Sequence, residues 1–147
     1  MPAPTPPKLQ PGPARSLATW HDMVAAGDLS KLESIVHPDA VFRSPMSHSA
    51  YTPRPALILA LSTVITIFED FTYHRELATP DGLSVVLEFS ANVKGKKLKG
   101  IDLIRFDEAG QIVEFEVMVR PMSALQVLGG EMGNRLKDKL PAFKAKL

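Results

Sequence analysis

Between Ser84 and Phe106 hydrophobic and polar residues alternate with a period of two, the signature of half-buried strands. Val85, Leu87, Phe89 and Ala91 fall on one side, with Val86, Glu88, Ser90 and Asn92 on the other. After a Lys94-Gly95-Lys96 turn, Leu98, Gly100, Asp102, Ile104 and Phe106 continue the inner set. Asp107-Glu108-Ala109-Gly110 has the composition of a hairpin connection, and a fourth strand over about 111–120 places Val113, Phe115, Val117 and Val119 inward. A strand over about 72–78 precedes the first of these through Pro80-Asp81-Gly82. The pattern predicts a four-stranded antiparallel meander.

Upstream the period lengthens to that of helices. Ser16 is placed as the N-cap of a helix carrying Leu17, Trp20, Met23 and Val24 and closed by Gly27. Asp28 opens a shorter helix with Leu29, Leu32, Ile35 and Val36, ended by His37-Pro38 because the residue before proline disfavours helix. A short strand follows over about 40–44. Pro53 starts a third helix reaching about Phe68, apolar nearly all round, as expected of a helix buried against a sheet. Beyond Pro121, the spacing of Leu125, Leu128, Met132, Leu136 and Leu140 predicts one more helix, weakened by Gly129, Gly130 and Gly133. The fold class is α+β: a curved antiparallel sheet packed on three N-terminal helices, forming one domain over 14–147. Residues 1–13, with six prolines, are expected to form a flexible leader.

Length and composition narrow the function classes. At 147 residues the chain suits a single core, and its 22% charged and 45% hydrophobic residues are ordinary for a globular protein. A net charge of +1 gives no electrostatic footprint for nucleic acid. The late basic residues Arg135, Lys137, Lys139, Lys144 and Lys146 are expected to form a solvated helix face. There is no cysteine, which excludes disulfides and thiolate metal sites. The apolar run from Ala56 to Phe68 is too short to cross a bilayer, and no membrane partner is expected. The proline-rich start resembles neither a secretory nor a transit signal, so a cytoplasmic location is the default expectation.

Asp102 is the one charge among the thirteen inward positions of the last three strands. Desolvation penalises an ionised carboxylate on an apolar face, so its pKa is expected to rise and the group to carry a proton near neutrality. Such an acid can donate to a ligand, or it can bond a buried backbone group and serve the structure only.

Three stretches carry a resemblance: Trp20 to Leu29, Pro38 to Pro45, and Gly100 to Ile112. Over about 15–121 the chain resembles the nuclear-transport-factor-2-like superfamily, to which ketosteroid isomerases and SnoaL-like polyketide cyclases belong. The resemblance implies a cone-shaped half-barrel around an apolar pocket, and dimerisation through the outer sheet face. It places Asp102 where ketosteroid isomerases keep a protonated, oxyanion-holding Asp. Their catalytic Tyr falls on Trp20 and their general base on Ser44, whose hydroxyl has no basicity near neutral pH. Steroid isomerase activity is therefore not expected. The Arg-x-Asp pairing of limonene epoxide hydrolases would need an arginine where Gly100 stands.

The remaining candidates follow from position. His48 and Tyr51 lie in the loop after the first strand, which the resemblance implies edges the pocket mouth, and are substitutes for the missing base, or else plain solvated loop. Trp20, Phe42, Phe68, Phe89 and Phe115 form either an aromatic wall or ordinary core. The ligand-binding set is therefore Trp20, Phe42, Ser44, His48, Tyr51, Phe68, Leu87, Phe89, Asp102, Phe115 and Val117. His21, His37 and His74 have no partners at ligand spacing, so neither metal nor cofactor is expected. Glu114, Glu116, Met118 and Arg120, beside Val86 and Glu88, suit a homodimer interface. The leading expectation is a protein that binds a small apolar or aromatic molecule. The alternatives are an acid-base isomerase, cyclase or lyase using Asp102, and a dimeric interaction module with a vestigial pocket.

Overall fold

The structure, a computed structural model, describes residues 8–137. Its elements run α1 (Pro11–Ala26), a 3-10 turn (Leu32–Ile35), β1 (Val36–Arg43), α2 (Arg54–Val64), β2 (Glu69–Ala78), β3 (Ser84–Val93), β4 (Lys96–Phe106), β5 (Ile112–Arg120) and α3 (Met122–Leu136). The five strands form one sheet in the order β1-β5-β4-β3-β2. β2 to β5 are the expected antiparallel meander, and β1 joins its far edge parallel to β5, which makes the sheet mixed. The three helices cover the inner face. There Val85, Leu87, Phe89, Ile104 and Phe115 are fully buried and join α1 and α2 in one core.

Several boundaries differ from the sequence expectation, each for a local reason. α1 begins at Pro11, inside the expected leader, because proline suits the first helical turn and Gln10 is anchored to the Gly82 carbonyl at 2.9 Å. Of the leader, residues 1–7 lie outside the described residues, as do Leu140, Lys139, Lys144 and Lys146. Ser16 is no cap: it is buried in mid-helix, and its hydroxyl donates to the Gly110 carbonyl at 2.5 Å. Gly12, one turn earlier, lets the helix backbone meet the 108–110 turn, where a Cβ would lie 2.8 Å from the Ala109 carbonyl carbon. Ser16→Ala should lower stability by about 1 kcal/mol, because a buried carbonyl loses its partner; equal urea midpoints for the two proteins would refute that role.

The second expected helix shrinks to a single 3-10 turn, with Asp28 accepting from the Ser30 amide at 2.9 Å instead of capping a longer element. His37 and Pro38 lie within β1. An edge strand tolerates the missing proline amide, and the pairing with β5 is interrupted between Val36 and Val41, where they sit. α2 ends at Val64, four residues early, so that β2 begins at Glu69. In β5 a register shift opposite Arg105 and Phe106 sets Ile112 on the inner face beside Phe106. Val113, expected inward, becomes the extra residue of that bulge and is half-buried. α3 forms despite its three glycines.

Candidate functional site

The inner face of the sheet does not close completely. Between α1, the 44–51 loop, α2, β2 and α3 lies a cavity of about 930 Å³, walled mostly by aliphatic and aromatic side chains. The loop is pinched at its base by two 2.8 Å backbone hydrogen bonds between Phe42 and Tyr51, which set these two rings on the wall. From α3, Leu128, Met132 and Leu136 face the same space.

The polar contribution is concentrated in one chain of hydrogen bonds. Trp20 on α1 donates its indole N–H to Tyr73 Oη at 3.0 Å, and Tyr73 on β2 donates to Asp102 Oδ2 on β4 at 2.6 Å. An indole can only donate, which fixes the first bond, and Tyr73 spends its one hydrogen on Asp102, so the chain ends on the carboxyl group. Asp102 is 5% exposed, and its Oδ1 has no hydrogen-bond partner among the described residues. Burial pushes the carboxyl up to about 7, against the opposing pull of the Tyr73 hydrogen bond. Burial, and then the neighbouring Asp102 charge, raise Tyr73 well above the ordinary tyrosine range, so it stays a donor. Protonated Asp102 therefore has one hydrogen to give. With Oδ2 already accepting from Tyr73, that hydrogen belongs on Oδ1.

Of the residues singled out from sequence, Trp20, Phe42, Ser44, Tyr51, Phe68, Asp102 and Val117 lie on the cavity wall. Leu87, Phe89 and Phe115 do not: all three are fully buried behind it. Phe115 is covered by Trp20 at 5.2 Å and Phe42 at 6.5 Å, and Phe89 by Phe71 at 5.0 Å and Phe68 at 5.7 Å. His48, beyond the pinch of the loop, is absent from the wall as well. Tyr73 and His21 escaped the sequence reading. Aromatic alternation at Phe71 and Tyr73 marks an inward face on β2 and was the available signal for the first; the second adjoins Trp20 on α1.

His21 lines the cavity edge-on to Tyr73, with ring centres 5.2 Å apart. Its Nε2 contacts the Glu76 carboxylate as an ion pair by distance, without the alignment of a hydrogen bond. Among the described residues no cluster of three or more His, Cys, Asp or Glu side chains could hold a metal ion, and no helix is long and apolar enough to cross a membrane.

Comparison with family models matches residues 17–115 to the SnoaL-like domain. The chain belongs to the SnoaL-like family. The SnoaL-like match ends at Phe115, so the α3 part of the cavity wall lies beyond it. Among solved structures similar to this SnoaL-like protein is a steroid delta-isomerase from Pseudomonas aeruginosa. It is 58% identical with a TM-score of 0.88, over 92% of this chain and 98% of that one. A protein with a cystatin-like fold from Silicibacter pomeroyi is 28% identical with a TM-score of 0.82, at the same two coverages. The epoxide hydrolase/cyclase-like enzyme SalBIII, at 18% identity and TM-score 0.62 over 76% of this chain and 92% of its own, shares the fold. The SnoaL-like match agrees with the superfamily expected from the sequence, and a neighbour from Mesorhizobium loti described as NTF2-like, 18% identical with a TM-score of 0.64 over 75% of this chain and 92% of its own, shares the fold. No curated protein matches the SnoaL-like chain.

Proposed function

We propose that this protein binds a small, mostly apolar molecule in the cavity, holding a carbonyl or hydroxyl oxygen of that molecule on Asp102. The observation that carries the reading is the directed chain Trp20 to Tyr73 to Asp102, a buried residue on an apolar cavity wall whose second carboxyl oxygen has no hydrogen-bond partner among the described residues. Each donor in such a chain polarises the next, so the terminal Asp102 proton is a stronger donor than an isolated acid. The apolar wall supplies affinity and the single donor fixes orientation, the usual division of labour in small-molecule sites.

Trp20 is the only tryptophan and lies on the wall, so its fluorescence reports occupancy directly. With androst-4-ene-3,17-dione as probe, binding should quench that fluorescence. Affinity should fall about tenfold per pH unit above about pH 7 as the Asp102 donor proton is lost. Asp102→Asn, which keeps an N–H donor at every pH, should flatten the profile. Quenching that is equally strong at about pH 6 and about pH 9 in the unaltered protein would refute Asp102 as the anchor.

A second reading, an acid-base isomerase, is favoured by the name of the 58% identical relative, steroid delta-isomerase, together with the Tyr73–Asp102 pair. Ser44 lines the cavity without being able to abstract a carbon-bound proton, so this reading requires a base elsewhere on the wall.

A further inference from the structure

α3 carries Gly129, Gly130 and Gly133 in its interior, where glycine weakens a helix more than any residue but proline. Gly129 has a packing reason. A Cβ there would stand 2.7 Å from Met46 Sδ, so the bare backbone seats the methionine of the 44–51 loop. Gly133 has no such neighbour, since no atom lies within 4 Å of its Cβ position. It nevertheless belongs to the cavity wall, one turn beyond Gly129, whereas the equally uncrowded Gly130 does not. The missing side chain at Gly133 is therefore a gap in the wall itself.

One further turn along the same face stands Lys137, the one Lys or Arg on the wall. Gly133 and Lys137 are both exposed, so this end of the wall is where the cavity opens to water. The other charges of α3 are taken up elsewhere. Arg135 donates to Thr66 Oγ1 at 2.8 Å, and Glu131, the only carboxylate of α3, pairs with Lys94 and lies off the wall. On the α3 side the wall thus presents a cation and no carboxylate. A lysine in such a place lays its apolar stem along the wall and keeps its ammonium group at the water.

We infer that the cavity takes elongated apolar carboxylic acids, whose chain leaves the interior over Gly133 and whose carboxylate pairs with the Lys137 ammonium at the opening. This names the ligand class for the cavity reading given above and rests on it. The gap at Gly133 does not stand alone as a sign of a ligand, because the same cavity holds the buried Asp102 with no partner for Oδ1 among the described residues. Burial of the chain against the aliphatic and aromatic wall supplies the affinity. Keeping the carboxylate at the opening avoids the cost of drawing a charge into the interior, and Lys137 then selects acids over neutral molecules of the same shape. Both residues lie beyond the part of the chain matched to the SnoaL-like domain.

The test uses the full chain with cis-parinaric acid and its methyl ester, which share one apolar chain and differ in charge. Their polyene accepts energy from Trp20, the only tryptophan, so occupancy is read as loss of its emission. At low ionic strength the acid should bind about fivefold more tightly than the ester, the worth of one well-placed exposed ion pair, and the preference should shrink as salt is added. Lys137→Gln should bring the acid to within about twofold of the ester. Gly133→Leu should weaken acid binding about tenfold while raising the melting midpoint by about 2 °C, because leucine closes the gap and strengthens the helix. Gly130→Leu makes the same helical gain off the wall and should leave acid affinity within about twofold. Equal affinities for acid and ester, a preference that survives Lys137→Gln, or like behaviour of the two leucine variants overturns the inference and leaves the Asp102 reading standing. Failure of both parinaric probes to bind while androst-4-ene-3,17-dione still quenches overturns the acid class alone. No binding by any of the three overturns both readings.

Discussion

Asp102→Asn is expected to make the protein more stable at about pH 8 than the unaltered chain, by a margin that shrinks as the pH is lowered. The folded protein holds Asp102 at about 7, whereas the unfolded chain ionises it near 3.8. Between those values the folded state binds more protons than the unfolded one, so stability falls as pH rises through the window and levels off above about 7. Each full pH unit inside the window is worth about 1.4 kcal/mol, so from about pH 5 to about pH 8 the unaltered protein should lose about 2–3 kcal/mol that the Asn variant keeps. The other carboxylate with a large shift acts elsewhere. Glu88 is held at about 2 by Arg75 and Lys99 on the outer sheet face; the stability it contributes is fully present above about 4.5 and is lost only as pH falls from there through about 2, so it is constant across the window tested. Urea unfolding of both proteins at several pH values measures the difference. Parallel stability curves from about pH 5 to about pH 8 would mean that Asp102 is not desolvated as described.

The same carboxylate marks how far the sequence could be read. Its inward position followed from two strands whose alternation runs unbroken, and the pairing of Leu87 with Asp102 and Asp102 with Val117 keeps that register. Its partner Tyr73 was not legible, because β2 carries two register shifts and no single period describes its faces. Glu76 is the sharper case: counted from Tyr73 by twos it belongs outside, and only the bulge turns it toward His21. The same holds at β5, where one extra residue exchanges Val113 for Ile112. Among the inner aromatics, sequence gave burial without depth. Phe42 and Phe68 reach the cavity while Phe89 and Phe115 fill the layer behind it, a distinction set by how α1, α2 and the 44–51 loop lie across the sheet. Local chemistry misled at Pro11 and Pro38, where proline sits in a first helical turn and on an edge strand, the two places that tolerate it.

Gly100→Ala should destabilise the fold by about 3 kcal/mol and weaken ligand binding with it, although the change adds one methyl group to a strand. Gly100 lies between Phe89 on β3 and Val119 on β5. A Cβ there would stand 2.6 Å from Phe89 Cζ, and closer still to the Met118 carbonyl oxygen. The carbonyl cannot retreat without loosening the β4–β5 pairing. The ring cannot either, since Phe71 stacks on it at 5.0 Å and Tyr73 meets it edge-on at 6.4 Å. Displacing Phe89 therefore pushes on Tyr73 and lengthens its bond to Asp102, which couples a packing fault to the donor chain. Phe89→Leu in the same chain removes the ring but not the backbone contact, so the double variant should recover part of the loss in a double-mutant cycle. Gly100→Ala within about 0.5 kcal/mol of the unaltered protein would show that the ring moves freely. The crowding also accounts for a departure noted in the sequence: an arginine two residues before Asp102, as an epoxide-hydrolase site would require, has no room where the Phe89 ring covers the strand.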